Sequence, residues 1–314
     1  MTRPEPRIAV LIPCYNEEST IAKVVDDFRA SLPGALIYVY DNNSRDATVA
    51  RAKAAGAVVR SETLQGKGNV VRRMFADIEA DIYVLVDGDD TYDAPAAPVF
   101  IAKLIDEGLD IVSGRREATG STAYRRGHVL GNRLLTGLTS LMFGVKLHDM
   151  LTGYRIMSRR FVKSFPSAAK GFGIETELAV HAVRLKVPMA EVGTHYRERP
   201  AGSTSKLNTY RDGIRILLTI AGLMRRERPL IFFTSIFGFF ALAAFVIGIP
   251  VVIEYFETGL VPRLPTAVLV TGMMMLAFLS LFTGLILDTV TRGRWEIKRL
   301  RYLAFPGPQD LPKP

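Results

Sequence analysis

Two stretches of this chain carry no charged residue over 24 positions each, Leu230–Ile253 and Leu264–Leu287. As helices rising about 1.5 Å per residue, each would cover the ~30 Å hydrocarbon core of a bilayer. Only the short connection Glu254–Arg263 separates them, so they predict a transmembrane hairpin. Arg225, Arg226 and Arg228 precede the first run, and Arg292, Arg294, Lys298, Arg299 and Arg301 follow the second. Basic flanks stay on the cytoplasmic side, which puts the connection outside. The opening residues MTRPEPRIAV contain no signal-peptide core. The expected location is therefore the cell (cytoplasmic) membrane, multi-pass, with both termini and the bulk of the chain inside. Pro250 is expected to kink or end the first span.

Charge supports the same placement. The chain has 40 Lys+Arg against 31 Asp+Glu, a net +9. Residues 197–314 hold 15 basic and 8 acidic residues, whereas 1–196 hold 25 and 23. The excess flanks apolar runs instead of striping a folded domain, which favours a membrane and excludes nucleic acid as the partner. The single Cys14 rules out a disulfide framework and a cysteine-based zinc site. His128, His148, His181 and His195 are scattered, without metal-ligand spacing. Over Ser205–Met224, apolar residues recur at helical spacing from Leu207 to Met224. This predicts an amphipathic helix at the headgroup level, a core helix of the preceding domain being the alternative.

Before these segments, short apolar runs alternate with helical patterns. Ile8–Ile12, Leu36–Tyr40, Ala57–Arg60, Ile82–Val86 and Asp110–Ser113 read as strands. Glu18–Ala30, Asp46–Ala55, Asn69–Glu79 and Pro95–Glu107 read as helices. Such alternation predicts an α/β domain with a mostly parallel, Rossmann-like sheet, whose ligands sit beyond the carboxyl ends of the strands. Polar clusters fall there: Pro13–Glu17 after the first strand, Asp41–Ser44 after the second, Asp87–Asp90 after the fourth. No third glycine follows Gly66-Lys67-Gly68, and no Walker A or G-x-S-x-G sequence is present.

Asp87-x-Asp89 is the sharpest local signal. Two carboxylates one residue apart at a strand end can both face a crevice, and hard oxygens suit Mg²⁺ or Mn²⁺. A turn with aspartate caps is the plain alternative. Alternatives stand beside other positions too: Tyr15 as a cover for a strand end, Asp46 as a helix cap, Gly66 and Gly68 as turn residues, and Arg115, Arg116, Arg125 and Arg126 as solvated charges. Glu175 and Glu177 are two apart on one predicted helix, so at most one faces a site, and neither is placed in the catalytic set.

In order along the chain come IPCYNEE, YDNNSRDAT, QGKGNVVRR, VDGDD, HDMLTGYRIMSRR and YRERPAGSTSK. Together these blocks resemble the family 2, GT-A fold glycosyltransferases that act on polyprenyl phosphates, the dolichol-phosphate mannose synthase and GtrB-like group. Two terminal spans are similar to the GtrB-like subgroup. The resemblance implies a GT-A domain at 1–204, an amphipathic juxtamembrane region at 205–229, a transmembrane hairpin at 230–290 and a basic tail at 291–314.

It also implies roles. Pro13, Tyr15, Glu17, Asp41 and Lys67 would hold a nucleotide-sugar donor, with Asp87 and Asp89 holding Mg²⁺ or Mn²⁺ on its diphosphate. Asp149 would be a catalytic or positioning carboxylate. Arg115, Arg126, Arg155, Arg199 and Lys206 are candidates for the acceptor phosphate, and the resemblance favours Arg115, Arg199 and Lys206. Where mannose synthases carry an amide residue two places after the second Asp, this chain has Thr91. The expected activity is inverting transfer of a hexose from a UDP- or GDP-sugar to undecaprenyl or dolichyl phosphate. The alternatives are extension of a sugar already on lipid, or a non-catalytic sugar-nucleotide-binding membrane protein. The GtrB-like relatives suggest a homo-oligomer.

Overall fold

The structure is a computed structural model that describes residues 5–118, 137, 148–166, 173–197 and 221–311. The chain forms two compact units, Met1–Leu207 with Ile297–Pro314, and Asn208–Glu296.

The first unit begins with β1 (Ile8–Cys14), α1 (Ile21–Ser31), β2 (Leu36–Asp41), α2 (Thr48–Ala54) and β3 (Val58–Ser61). It continues with α3 (Lys67–Asp77), β4 (Ile82–Leu85), α4 (Ala96–Asp106) and β5 (Ile111–Ala118). After a gap in the description come β6 (Arg155–Ser158), α5 (Arg159–Ser164), α6 (Ile174–Leu185) and β7 (Met189–Tyr196). The seven strands form one sheet in the order β3-β2-β1-β4-β6-β5-β7. β6 runs antiparallel to both neighbours, and the other pairings are parallel. The mostly parallel sheet expected from the alternation is therefore present.

β1 is central and buried on both faces. Val10, Ile12 and Cys14 join the α1 and α4 side, while Ala9 and Leu11 join the α3, α5 and α6 side. α1 buries Ile21, Val24, Val25 and Phe28, the i, i+3, i+4, i+7 stripe of a helix on a sheet. After β1 the chain places β2 and β3 on one side and β4 on the other. This reversal leaves a crevice between the carboxyl ends of β1 and β4.

Residues 297–311 pack against this unit. Asp110, fully buried, accepts hydrogen bonds from Ser158 Oγ (2.6 Å), Arg160 Nε (2.5 Å) and Nη2 (2.7 Å), and Tyr302 Oη (2.6 Å). The guanidiniums of Arg159 and Arg301 lie over the ring of Phe305, 5.2 and 5.1 Å from its centre. The segment read as a tail is helical as far as Leu303 and ends in a 3₁₀ turn at Pro308–Asp310.

The second unit holds α7 (Pro229–Thr258) and most of α8 (Leu264–Leu303). Both are long and apolar enough to cross a bilayer, and they expose most of their apolar side chains. α7 does not end at Pro250; it continues to Thr258 and stops at Gly259, whose φ of +69° is the left-handed helix-ending conformation. Proline is tolerated within such helices because neighbouring groups satisfy the freed carbonyl. The helices touch where Gly284 meets Phe233: a Cβ at Gly284 would lie 2.9 Å from Phe233 Cβ, and Ser280 Oγ donates to Phe233 O at 3.0 Å. Of the predicted amphipathic helix, 205–220 lie outside the described residues, and 221–227 are helical.

Candidate active site

Three loops meet at the carboxyl ends of β1, β2 and β3. The Asn16 amide donates to Ser44 Oγ (2.9 Å), and Asn16 Oδ1 accepts from the Arg45 amide (2.8 Å). Asn42 Nδ2 donates to Glu62 O and Leu64 O, and its Oδ1 accepts from the Gly66 amide at 2.6 Å. Asp41, buried at the end of β2, accepts the Ser44 amide on both oxygens (3.3 and 3.2 Å). Asp46 lies one residue before Ala47, the N-cap of α2, and accepts from the Thr48 amide (3.0 Å) and the Glu18 amide (3.2 Å). Tyr15 stands exposed at 48 % beside these loops.

Cys14 marks the crevice floor. Burial pushes its thiol well up, and the charges of Glu17, Asp41, Asp87 and Asp89 push the same way. Four carboxylates from three strand ends thus converge around one buried, protonated thiol, which is inert as a nucleophile. The residue between the two aspartates has to be glycine, since a Cβ at Gly88 would lie 2.8 Å from Cys14 Sγ.

Lys67, at the start of α3, sits between two carboxylates: its Nζ is 2.5 Å from Asp87 Oδ1 and 2.5 Å from Glu175 Oε1. Burial works against the ammonium, but Asp87 and then Glu175 outweigh it and hold Lys67 well above its ordinary range. Asp89 is buried and accepts from Thr91 Oγ1 at 2.6 Å. The Thr91 hydroxyl, two places after the second aspartate, therefore bonds it directly. Asp90 (φ +56°) turns away to Lys23 at 2.7 Å.

A second cluster adjoins the first. Arg116 holds Asp149 with a fork, Nε to Oδ2 at 2.7 Å and Nη2 to Oδ1 at 2.8 Å, with its own amide adding a contact at 3.2 Å. Glu191 on β7 accepts the His148 and Asp149 amides (2.9 and 3.3 Å) and His148 Nδ1 (2.6 Å). Arg155, 1 % exposed, donates to Met150 O (2.7 Å) and Thr152 O (3.3 Å), tying down the loop after Asp149. Its Nη1 has no hydrogen-bond partner among the described residues. Burial lowers its basicity, with Glu175 and Asp149 opposing.

Contacts join the two clusters. Tyr92 Oη accepts the Gly153 amide at 2.8 Å, and a Cβ at Gly153 would collide with the Asp87 carboxylate. The Tyr92 and Tyr196 rings are 5.4 Å apart, and the Arg116 guanidinium lies 5.5 Å over Tyr196.

The structure thus gathers Glu17, Asp41, Lys67, Asp87 and Asp89 about one crevice, with Pro13 and Tyr15 on the β1 end, Asp149 on the adjoining loop and Arg155 at the start of β6. Arg115 pairs with Glu117 at 2.6 Å, and its neighbour Arg116 meets Asp149. Arg126, Arg199 and Lys206 lie outside the described residues. Sequence reasoning missed Arg116, Glu175 and Glu191. Glu175 was legible in one respect: it sits three and four residues before Leu178 and Ala179, a carboxylate on the apolar face of its helix.

The donor set at Asp87 and Asp89 suits a hard divalent cation. Both ligands are carboxylates, and Asp87 already lies against the Lys67 ammonium, so its surroundings accommodate positive charge. Among the described residues no cluster of three or more His, Cys, Asp or Glu forms a closed cage. One or two carboxylates completed by substrate phosphates is the usual arrangement for Mg²⁺.

Comparison with known proteins places this geometry. Residues 9–165 match the model of glycosyl transferase family 2. The protein RfbJ of Shigella flexneri is 59 % identical over 122 residues, 38 % of this chain and 95 % of RfbJ. A dolichyl-phosphate hexose transferase of Haloferax volcanii is 32 % identical over 221 residues, 70 % of this chain and 95 % of that protein. Among solved structures, glucosyl-3-phosphoglycerate synthase from Mycobacterium tuberculosis, in complex with Mn²⁺, UDP-glucose and phosphoglyceric acid, superposes with a TM-score of 0.56. It is 26 % identical and covers 70 % of this chain and 79 % of its own. The family match, the mostly parallel sheet with its crevice of strand-end carboxylates and the two apolar helices agree: the chain is a membrane glycosyltransferase with a GT-A-like domain and belongs to glycosyl transferase family 2.

Proposed function

We propose that this enzyme moves a hexose from a UDP- or GDP-hexose to a polyprenyl phosphate, undecaprenyl or dolichyl, with inversion at the anomeric carbon. One observation carries the reading: a crevice of strand-end carboxylates occurs in the same chain as two helices of bilayer length. The names of the dolichyl-phosphate hexose transferase and of the UDP-glucose complex support acceptor and donor respectively.

In this reading Asp41 and Glu17 bind the nucleoside, beside Pro13 and the exposed Tyr15. Asp87 and Asp89 would hold Mg²⁺ or Mn²⁺, which when bound offsets charge on the leaving diphosphate. Lys67, fixed by Glu175, adds a permanent positive charge on the donor side. An acceptor phosphate oxygen attacks the anomeric carbon while the bond from that carbon to the diphosphate oxygen breaks, its electron pair leaving with the diphosphate. The acceptor is already ionised near neutral pH, since its second pKa is ~6, so no strong base is needed. Asp149 then serves to aim Arg116, and Arg155 fixes the loop that carries Asp149. Arg116, Arg126, Arg199 and Lys206 form the set offered to the acceptor phosphate, while Arg115 stays paired with Glu117. Arg199 precedes the juxtamembrane segment in the chain and Lys206 lies at its start, where a lipid-borne phosphate arrives. The catalytic domain and both termini are cytoplasmic.

The test uses the full chain in nanodiscs with radiolabelled UDP-glucose or GDP-mannose, Mn²⁺ and undecaprenyl phosphate. Label should enter a lipid monophosphosugar. If label enters lipid only when the acceptor already carries a sugar, the acceptor assignment fails.

A further inference from the structure

We propose that the cavity framed by α3, α5 and the C-terminal end of α8 is a second anion site, for a soluble phosphate ester with an apolar or aromatic body. The cavity measures about 420 Å³, within the range of small-molecule sites, and is lined by Arg72, Phe75, Glu79, Lys163, Phe165 and Arg301 among others. It lies away from the donor crevice. Lys67 opens α3 at the carboxyl ends of the strands, whereas Phe75 and Glu79 lie at the other end of that helix, just before β4 begins.

Charge makes the case for an anion. Glu79 is already matched twice, by Lys163 at 2.8 Å and Arg159 at 2.9 Å. Lys163 is further committed to Phe75 O and Ile78 O. Arg72 and Arg301 have no carboxylate partner among the described residues, so two guanidinium forks border one opening. Such forks match phosphate oxygens. Phe75 and Phe165, edge to face at 6.1 Å, supply an apolar wall for the rest of the ligand. The site is also held in place: Tyr302 is anchored on buried Asp110, and the Arg301 guanidinium lies over Phe305, itself packed on Arg159.

A free phosphate ester and a lipid headgroup share this chemistry, and the phosphatidylglycerol arm of the experiment separates the two.

The experiment titrates inorganic pyrophosphate into the detergent-solubilised full chain in EDTA, by calorimetry. One site is expected, weakened at least tenfold by Arg72→Glu and by Arg301→Glu, and unchanged by Lys67→Ala. Arg72 is exposed on a helix, so Arg72→Glu keeps the fold and decides the matter if Arg301→Glu does not fold. In phosphatidylcholine nanodiscs, adding phosphatidylglycerol should leave pyrophosphate affinity unchanged. Absence of binding, loss in Lys67→Ala alone, indifference to Arg72→Glu, or displacement by phosphatidylglycerol would each overturn the proposal.

Discussion

Lys67 Nζ lies 2.5 Å from Glu175 Oε1, across 108 residues of chain. Because Lys67 also touches Asp87, Glu175 sets where positive charge stands beside the aspartate pair. Glu175→Gln keeps the shape and removes the charge. Lys67 retains Asp87, so the fold should survive with a melting temperature within a few degrees of the parent. Turnover should fall by roughly tenfold or more, the scale of one charge-assisted hydrogen bond. Parent-like turnover would mean that Lys67 needs no second anchor.

Asp89→Asn tests the divalent ion directly. The side chain is buried and takes a hydrogen bond from Thr91, so the amide can keep the packing while losing the charge. We expect most activity to disappear, and EDTA to do the same to the parent until Mg²⁺ or Mn²⁺ is restored. Full activity of the Asn variant, or of the parent in EDTA, would remove the ion from the reaction.

The strands and the loops that end them were legible because β1, β2 and β4 are apolar runs closed by polar clusters. The crevice therefore followed from pattern alone. β6 was not legible because it is no apolar run: it opens on the buried Arg155 and closes on Ser158. β7 is an edge strand whose polar and apolar residues alternate weakly. Choosing Arg115 over Arg116 was beyond the sequence for a related reason. Adjacent strand residues point to opposite faces, and only the pairing of β5 with β6 and β7 fixes which one meets Asp149. Glu175 was set aside because its spacing from Glu177 limits the site to one of them, and local spacing cannot say which.

That parity gives a prediction. Arg116→Lys replaces a two-armed grip on Asp149 by a single donor and should cost ~1.5–3 kcal/mol, about 10- to 150-fold in turnover or acceptor KM. Arg115→Ala removes an exposed pair with Glu117 and should cost under ~1 kcal/mol in stability. Steady-state kinetics on both variants check the order. If Arg115→Ala is the more damaging in turnover, the acceptor phosphate sits on the other face of β5.

His181 gives the catalytic domain a pH dependence unconnected with the crevice. Burial, helped by Lys298, lowers its pKa to about 3, and it packs between Phe161 and Phe165 against Ser164. In the unfolded chain it titrates near ~6.5. Below that pH the unfolded state takes up a proton that the folded state refuses. Stability is therefore complete above about 6.5 and declines as pH falls towards 3, by at most ~1.4 kcal/mol per unit. Thermal melts between pH 7 and 5 should show the decline in the parent and a flatter curve in His181→Gln. Equal slopes would assign the acid sensitivity to carboxylates instead.

Topology is open to a clean measurement because the chain's one cysteine, Cys14, is buried and should stay silent to a membrane-impermeant maleimide. Leu260 is exposed in the link between α7 and α8, and Arg292 is exposed on α8 beyond the charge-free run. Basic residues resist translocation, and they flank both helices on the side opposite that link. Leu260→Cys should therefore react in intact cells, and Arg292→Cys only after permeabilisation. A lipid-phosphate acceptor and a cytoplasmic nucleotide sugar meet at the inner leaflet only in this orientation. The reverse labelling pattern would place the crevice on the side where nucleotide sugars are not made, and the proposed donor would fail with it.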